Sequence, residues 1–135
     1  MGFCYRYMTV EGKGARAESY ALLDFSSPLS ALSDDFARRL KAPWLAGTKA
    51  QVGGTQAVGW TTKCPVVFNR TDVRITEVEF VVLPKRVVGE DVILGRQVAE
   101  TVGEAKLLAI RYKCDQCRES LFTCEHGKRK VETLR

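Results

Sequence analysis

Apolar and polar residues alternate with the two-residue period of a β-strand through most of this chain, and clusters of turn-forming residues interrupt the alternation. From Phe3 to Glu11, Tyr5, Tyr7 and Thr9 share one face, while Cys4, Met8 and Val10 take the other. Gly12-Lys13-Gly14 reads as a turn and Glu18 to Leu23 as the returning strand, so the chain is predicted to open with a hairpin. A second strand pair covers Lys49 to Val52 and Gln56 to Trp60, joined through Gly53-Gly54. Glycines at that tip let backbone come close to a ligand. Pro65 to Phe68 predicts a further strand, and Asn69 to Asp72 a turn. Val73 to Leu83 predicts a long strand with Val78, Phe80 and Val82 on its buried face and Val73, Ile75, Glu77 and Glu79 on the other. Pro84 to Glu90 reads as a loop, Asp91 to Gly95 as an apolar strand, and Ala105 to Tyr112 as the last strand.

The helical period occurs in only two places, each just after an apolar strand. Tyr20-Ala21-Leu22-Leu23 runs into a single carboxylate, Asp24, and then Phe25-Ser26-Ser27. A strand that ends on an acid and turns sharply points that acid out of the sheet. Pro28 to Leu32 reads as a loop, and Ser33 as the N-cap of a short helix running to Leu40. Asp34 and Asp35 suit its first turn, and Leu32, Phe36 and Leu40 form its docking face. The second helix runs from Arg96 to Val102 and is closed by Gly103. Asp91 is expected to pair with Arg96 or Arg38. Trp44 and Trp60 are expected to pack, with contact to a bound peptide as the sharper role.

Composition narrows this to one domain with an appendage. The chain has 135 residues, 45% hydrophobic and 27% charged, enough for one packed core. No apolar run approaches the length of a membrane span, so no membrane role is expected. Five cysteines, three of them in the last quarter, argue against a secreted disulfide framework and for an intracellular protein, cytoplasmic or nuclear. The net charge of +5 is a mild excess that permits an acidic partner or nucleic acid without indicating either.

The excess is concentrated at the end of the chain, so residues 113–135 read as a basic Cys/His tail after a body over 1–112. Cys114, Cys117, Cys124 and His126 offer four ligands within a short span, a set that fits tetrahedral zinc. The alternative is a group of reduced thiols beside the basic Lys128-Arg129-Lys130 run. Cys4 and Cys64 lie in strand patterns and read as inert buried thiols. No cofactor is expected for the body.

Four features in order carry a resemblance. They are the apolar strand into Asp24; Ser30 to Leu40 after it; the hairpin and strand from Gln51 to Phe68; and Val78 to Leu83 followed by Asp91-Val92-Ile93-Leu94-Gly95-Arg96. Over about Tyr5 to Tyr112 the chain resembles a retropepsin, the aspartic protease domain of retroviruses and gypsy-type retrotransposons. The resemblance implies an all-β closed barrel with one or two short helices, working as a homodimer in which each subunit gives one Asp24. Two such carboxylates share a proton, one acting as base on a water and the other as acid to the peptide carbonyl. It implies that Val52, Gly53, Gly54, Thr55 and Gln56 form a flap over an extended peptide. It also implies that Gly95 and Arg96 support the dimer, and that Ala105 to Tyr112 join its interface.

The chain departs from the family at one place. The family's catalytic turn reads Asp, Thr or Ser, Gly, Ala or Ser; here it is Asp24-Phe25-Ser26-Ser27. Phe25 cannot make the hydroxyl bond that buttresses two turns across a dimer, and its ring is expected to need room where the chains meet. Ser26 adds a Cβ where backbone runs close to the carboxylate. The expected function is a pseudoprotease, derived from a retrotransposon, that self-associates and grips an extended peptide or partner. The alternatives are an active aspartic endopeptidase using Asp24 from each subunit, and a dimeric adaptor acting through a zinc-binding basic tail.

Overall fold

In the computed structural model the described residues are 5–103, 116–119, 124–125 and 129–134. The predicted opening hairpin is β1 (Tyr5–Glu11) and β2 (Arg16–Leu23), in antiparallel register with Tyr7 opposite Tyr20. Met8 and Val10 are buried, whereas the rings of Tyr7 and Tyr20 meet edge-on outside, 4.9 Å between centroids. Cys4 and the strand expected over Ala105 to Tyr112 lie outside the described residues.

Where a loop is expected, Ser30–Ser33 forms a short, fully buried strand, β3. Its serines read as loop residues because their hydroxyls need partners, and here they have them. Ser30 Oγ accepts from Gly95 N at 2.9 Å, and Ser33 Oγ donates to Asp91 Oδ1 at 2.9 Å. Ser33 also caps α1 (Asp34–Leu40) as predicted, accepting from Phe36 N, and Phe36 and Leu40 are buried. Arg38 turns back to Asp34 and Asp35 on the surface.

β4 (Ala46–Val52) and β5 (Thr55–Phe68) form the second hairpin. Its two-residue tip, Gly53-Gly54, has positive φ at both positions, the turn whose twist matches the flanking strands. β5 is one continuous strand rather than the two expected, and it runs from the hairpin tip into the body. It pairs with β6 (Arg74–Leu83) across a register shift between Cys64 and Val66. Cys64 and Val66 oppose Val78 and Ile75, so β6 carries one extra residue there. That bulge corrects the expected faces: Val73 and Ile75 share the core with Val78, Phe80 and Val82 instead of facing away.

Pro84 begins a turn of helix, α2 (Lys85–Val88), inside the expected loop. β7 (Val92–Leu94) follows, then α3 (Arg96–Val102), capped through Gly103 as predicted. The last described strand is β8 (Val131–Thr133). The strands run in the order β1-β2-β7-β3-β6-β5-β4-β8, and β1 also pairs with β5, so six of them close into a barrel. β4 and β8 extend beyond that ring. One apolar cluster fills the barrel around Met8, Leu23, Phe25, Phe36 and Phe80. A second lies around Leu22, Leu83, Val88 and Ile93. No helix among the described residues is long and apolar enough to cross a membrane.

Asp91 pairs with Lys85 at 2.7 Å, not with Arg96 or Arg38. Burial pushes its pKa up, but the hydrogen bonds from Lys85 and Ser33 and the charges of Lys85 and Arg39 outweigh it and hold the carboxyl below its ordinary 3.8. A depressed folded-state value means this stabilisation is complete above the unfolded value and is lost as pH falls through the folded one. Asp91→Asn should therefore flatten the acid limb of a stability profile below about pH 4, and lower neutral-pH stability by roughly 1 kcal/mol or less. Urea denaturation at a series of pH values reads both effects.

Candidate functional site

Asp24 directly follows β2, the strand that lies between β1 and β7 in the barrel. Its amide donates to Leu94 O at 2.9 Å, and Ser27 N donates back to Asp24 O at 3.0 Å, closing a tight turn. Arg96 N donates to Ser27 O at 2.8 Å, which ties the turn to the start of α3. Gly95 lies directly against this turn: a Cβ there would sit 2.4 Å from Leu29 O and 2.7 Å from Ser27 O. Gly95 and Arg96 thus build the backbone support of the Asp24 turn, and the Arg96 side chain is exposed.

Phe25 and Ser26, the two residues after Asp24, both have a place. Phe25 is fully buried in the barrel core of its own chain, beside Met8, Leu23 and Phe36, so its ring does not need the space expected for it outside. Ser26 Oγ donates to Asp24 Oδ1 at 2.6 Å. The residue whose added Cβ was expected to alter the path of the turn supplies one of the groups that hold the carboxylate.

The other carboxylate oxygen receives a hydrogen bond from the tail. Arg129 N donates to Asp24 Oδ2 at 2.5 Å. Beyond it the chain runs extended between the turn and the β4–β5 hairpin. On one edge β8 pairs antiparallel with Ala50 to Val52, and Gly53 N donates to Lys130 O at 3.1 Å. On the other, Leu29 N donates to Val131 O at 3.2 Å, and Val131 N donates to Ser27 Oγ at 2.8 Å. The proton of Ser27 Oγ faces Leu29 O at 2.8 Å and Val131 O at 2.9 Å. Asp24, Ser27 and Val131 are all fully buried as a result.

Val131 drops into the second apolar cluster, among Leu22, Ala50, Val52, Leu83, Val88 and Ile93. Burying a valine there contributes about 1.5–3 kcal/mol. Its neighbours point outward. Arg129 Nε lies 3.9 Å from Glu90, whose Oε1 also accepts from the Tyr5 hydroxyl at 2.6 Å, and Gln51 Nε2 donates to Glu132 at 3.0 Å. The site is a groove for extended backbone with one apolar side-chain pocket, and residues 129–134 fill it.

Of the hairpin residues expected to meet a ligand, Val52 and the backbone of Gly53 face this segment, whereas Gly54, Thr55 and Gln56 are exposed. Trp60 packs on the core, and Trp44 is exposed. Sequence reading missed the segment itself. Its only signals are the β-branched Val131 and Thr133 on either side of Glu132, too short a pattern to separate from a solvated tail.

In the tail, the Sγ atoms of Cys117 and Cys124 lie 3.6 Å apart and are not joined in a disulfide. Four thiolates about 2.3 Å from a zinc ion stand roughly 3.8 Å from one another, so this pair fits such an edge. Cys114 and His126 lie outside the described residues, and among the described residues no group of three or more metal-ligating side chains occurs. Cys64 is buried and free as expected; burial raises its thiol pKa, which keeps it protonated and unreactive.

Gly95→Ala should push the Asp24 turn away from α3, because the atoms it would meet are backbone carbonyls that cannot rotate aside. The expected loss is about 1–3 kcal/mol, with faster amide exchange at Ser27 and Arg96. Thermal denaturation and hydrogen exchange check this, with unchanged exchange at those amides as the contrary result.

No family model matches the chain and no curated protein matches it, so function is read from this geometry.

Proposed function

We propose that this chain is a retropepsin-like pseudoprotease domain that grips extended peptide backbone between the Asp24 turn and the β4–β5 hairpin, and that it pairs with a second copy of itself. The observation that carries the reading is the groove. Asp24, Ser27, Leu29 and Gly53 all hydrogen-bond to backbone atoms of one extended segment, while β4 pairs with it as a neighbouring strand. Recognition by strand addition takes affinity from main-chain bonds and selectivity from pockets for alternate side chains, and Val131 occupies such a pocket. The order of strand, Asp turn, hairpin and Gly95-Arg96 supports the retropepsin-like assignment.

Loss of catalysis follows from the turn. Phe25 stands where a hydroxyl would brace two turns against each other, and it is committed to its own core. Ser26 takes one oxygen of Asp24 in a short hydrogen bond. A carboxylate that must share a proton with a second one and move it within each turnover is poorly served by that fixed internal bond. An odd number of cysteines, five, with three of them in the last quarter of the chain, supports an intracellular setting.

The alternative is an active endopeptidase using Asp24 from each of two chains. Purified protein incubated with a degenerate peptide library between acidic and neutral pH is expected to leave the library uncut, as is Asp24→Asn, while sedimentation reports a dimer. Cleavage that disappears in Asp24→Asn would establish the endopeptidase instead. A monomer at all concentrations would remove the self-pairing part of the proposal.

The Cys117–Cys124 separation favours a second reading, in which the tail binds zinc through those two thiolates with Cys114 and His126. The adaptor role for nucleic acid has less support, because Arg129 lies beside Glu90 and Lys130 near Glu132. Elemental analysis of the purified protein should give one zinc per chain, falling to near zero in a Cys117→Ser, Cys124→Ser double variant. Metal-free protein prepared without chelator would end this reading.

A further inference from the structure

The groove is filled by the chain's own residues, and the side chains placed there say what else it would take. We infer that residues 129–134 are a resident copy of the ligand. The groove takes extended peptides with a β-branched aliphatic residue in the Val131 pocket and a basic residue two positions before it, and such a peptide binds by displacing the tail. The inference rests on the peptide-gripping reading above and adds ligand class and competition to it.

Each part has a separate observation behind it. The pocket position is the fully buried Val131, walled by Ala50 and Val52 of the hairpin strand and by Leu22, Leu83, Val88 and Ile93 of the body. Those walls are wholly apolar, so a charged or amide side chain at this position would be buried without a hydrogen bond. Two residues earlier, Arg129 lies over Gly89 with its guanidinium near Glu90, the acidic side chain fixed by Tyr5. Gly89 has a positive φ and leaves that surface open to the guanidinium, 3.4 Å from where a Cβ would stand. Between them Lys130 projects outward, so the groove does not read that position.

Competition follows from the hydrogen bonds. Asp24 Oδ2, Ser27 Oγ, Leu29 N, Gly53 N and the edge of β4 are all engaged by residues 129–134. An incoming strand needs the same groups, so the two cannot bind together. The arrangement makes the tail a strap whose release opens the site.

The test uses the full chain and a fluorescein-labelled peptide, Lys-Arg-Lys-Val-Glu-Thr-Leu, which copies residues 128–134. Val131→Asp places a carboxylate in the apolar pocket and should expel the strap, so the labelled peptide is expected to bind this variant at least about tenfold tighter than it binds the unsubstituted chain. Arg129→Glu sets two acids side by side and should give a smaller gain, about two- to fivefold, as suits a solvent-exposed pair. Because Arg129 is half-exposed, that variant carries the test if Val131→Asp does not fold. A peptide with Asp in place of its Val should not bind, and one with Glu in place of its Arg should bind more weakly. Equal binding by the unsubstituted chain and both variants overturns the competition. Binding of other peptides from a degenerate library, but not of this one, overturns the ligand class alone. A folded Val131→Asp chain that binds no extended peptide at all overturns the peptide-gripping reading beneath it.

Discussion

A carboxylate taken fully out of water must be met by donors, and the structure around the groove depends on how Asp24 meets that demand. An unsatisfied buried charge costs several kcal/mol, a large share of the stability of a small domain. Among the described residues one donor is Ser26, two residues along the same turn, and another is the backbone of Arg129, more than a hundred residues away. The turn presents the carboxylate correctly only because Leu94, Gly95 and Arg96 pin it from behind. Three segments distant in sequence therefore meet in one geometry around a single acid. Removing the tail segment takes away one of these donors and readmits water to the group, which couples the shape of the turn to whatever lies in the groove.

Most of the barrel was legible in the alternation of the sequence, and its failures have local causes. The two hairpins, the Ser33 cap, the buried face of α1 and the Gly103 stop follow from short-range rules that the tertiary structure leaves alone. β3 was hidden because two of its four residues are serines, and only Gly95, Asp91 and the N-terminus of α1 make those hydroxyls acceptable in a buried strand. The faces of β6 were half misassigned because a bulge inserts one residue between Ile75 and Val78, and a period-two reading cannot see an insertion that only the partner strand reveals.

The site was legible in its centre and not in its surroundings. Asp24 stands out as an acid at the end of an apolar strand. Phe25 and Ser26 depart from the catalytic turn of the family that the sequence resembles, but the directions of their side chains are not contained in the sequence. Phe25 points inward to the core, and the Ser26 hydroxyl points at the Asp24 carboxylate. Val131 was invisible because one buried valine between charged neighbours has no periodicity to report. Its burial is created by the hairpin on one side and β7 and α2 on the other, none of them near it in sequence.

The groove also resolves a problem of sheet edges. β4 lies outside the closed ring, paired to β5 on one side only, and an open strand edge beside an apolar pocket invites pairing with any extended chain. β8 covers that edge and fills the pocket with the same few residues. A segment joined covalently to its own groove competes at an effective concentration on the order of millimolar, so under the proposed function weak or ill-fitting peptides would be excluded without any further device. A partner of the proposed kind would then have to match both the apolar pocket and the acid at Glu90, or act when the tail is held elsewhere. On the proposed reading, protection of the edge and selectivity for a partner are two results of one arrangement.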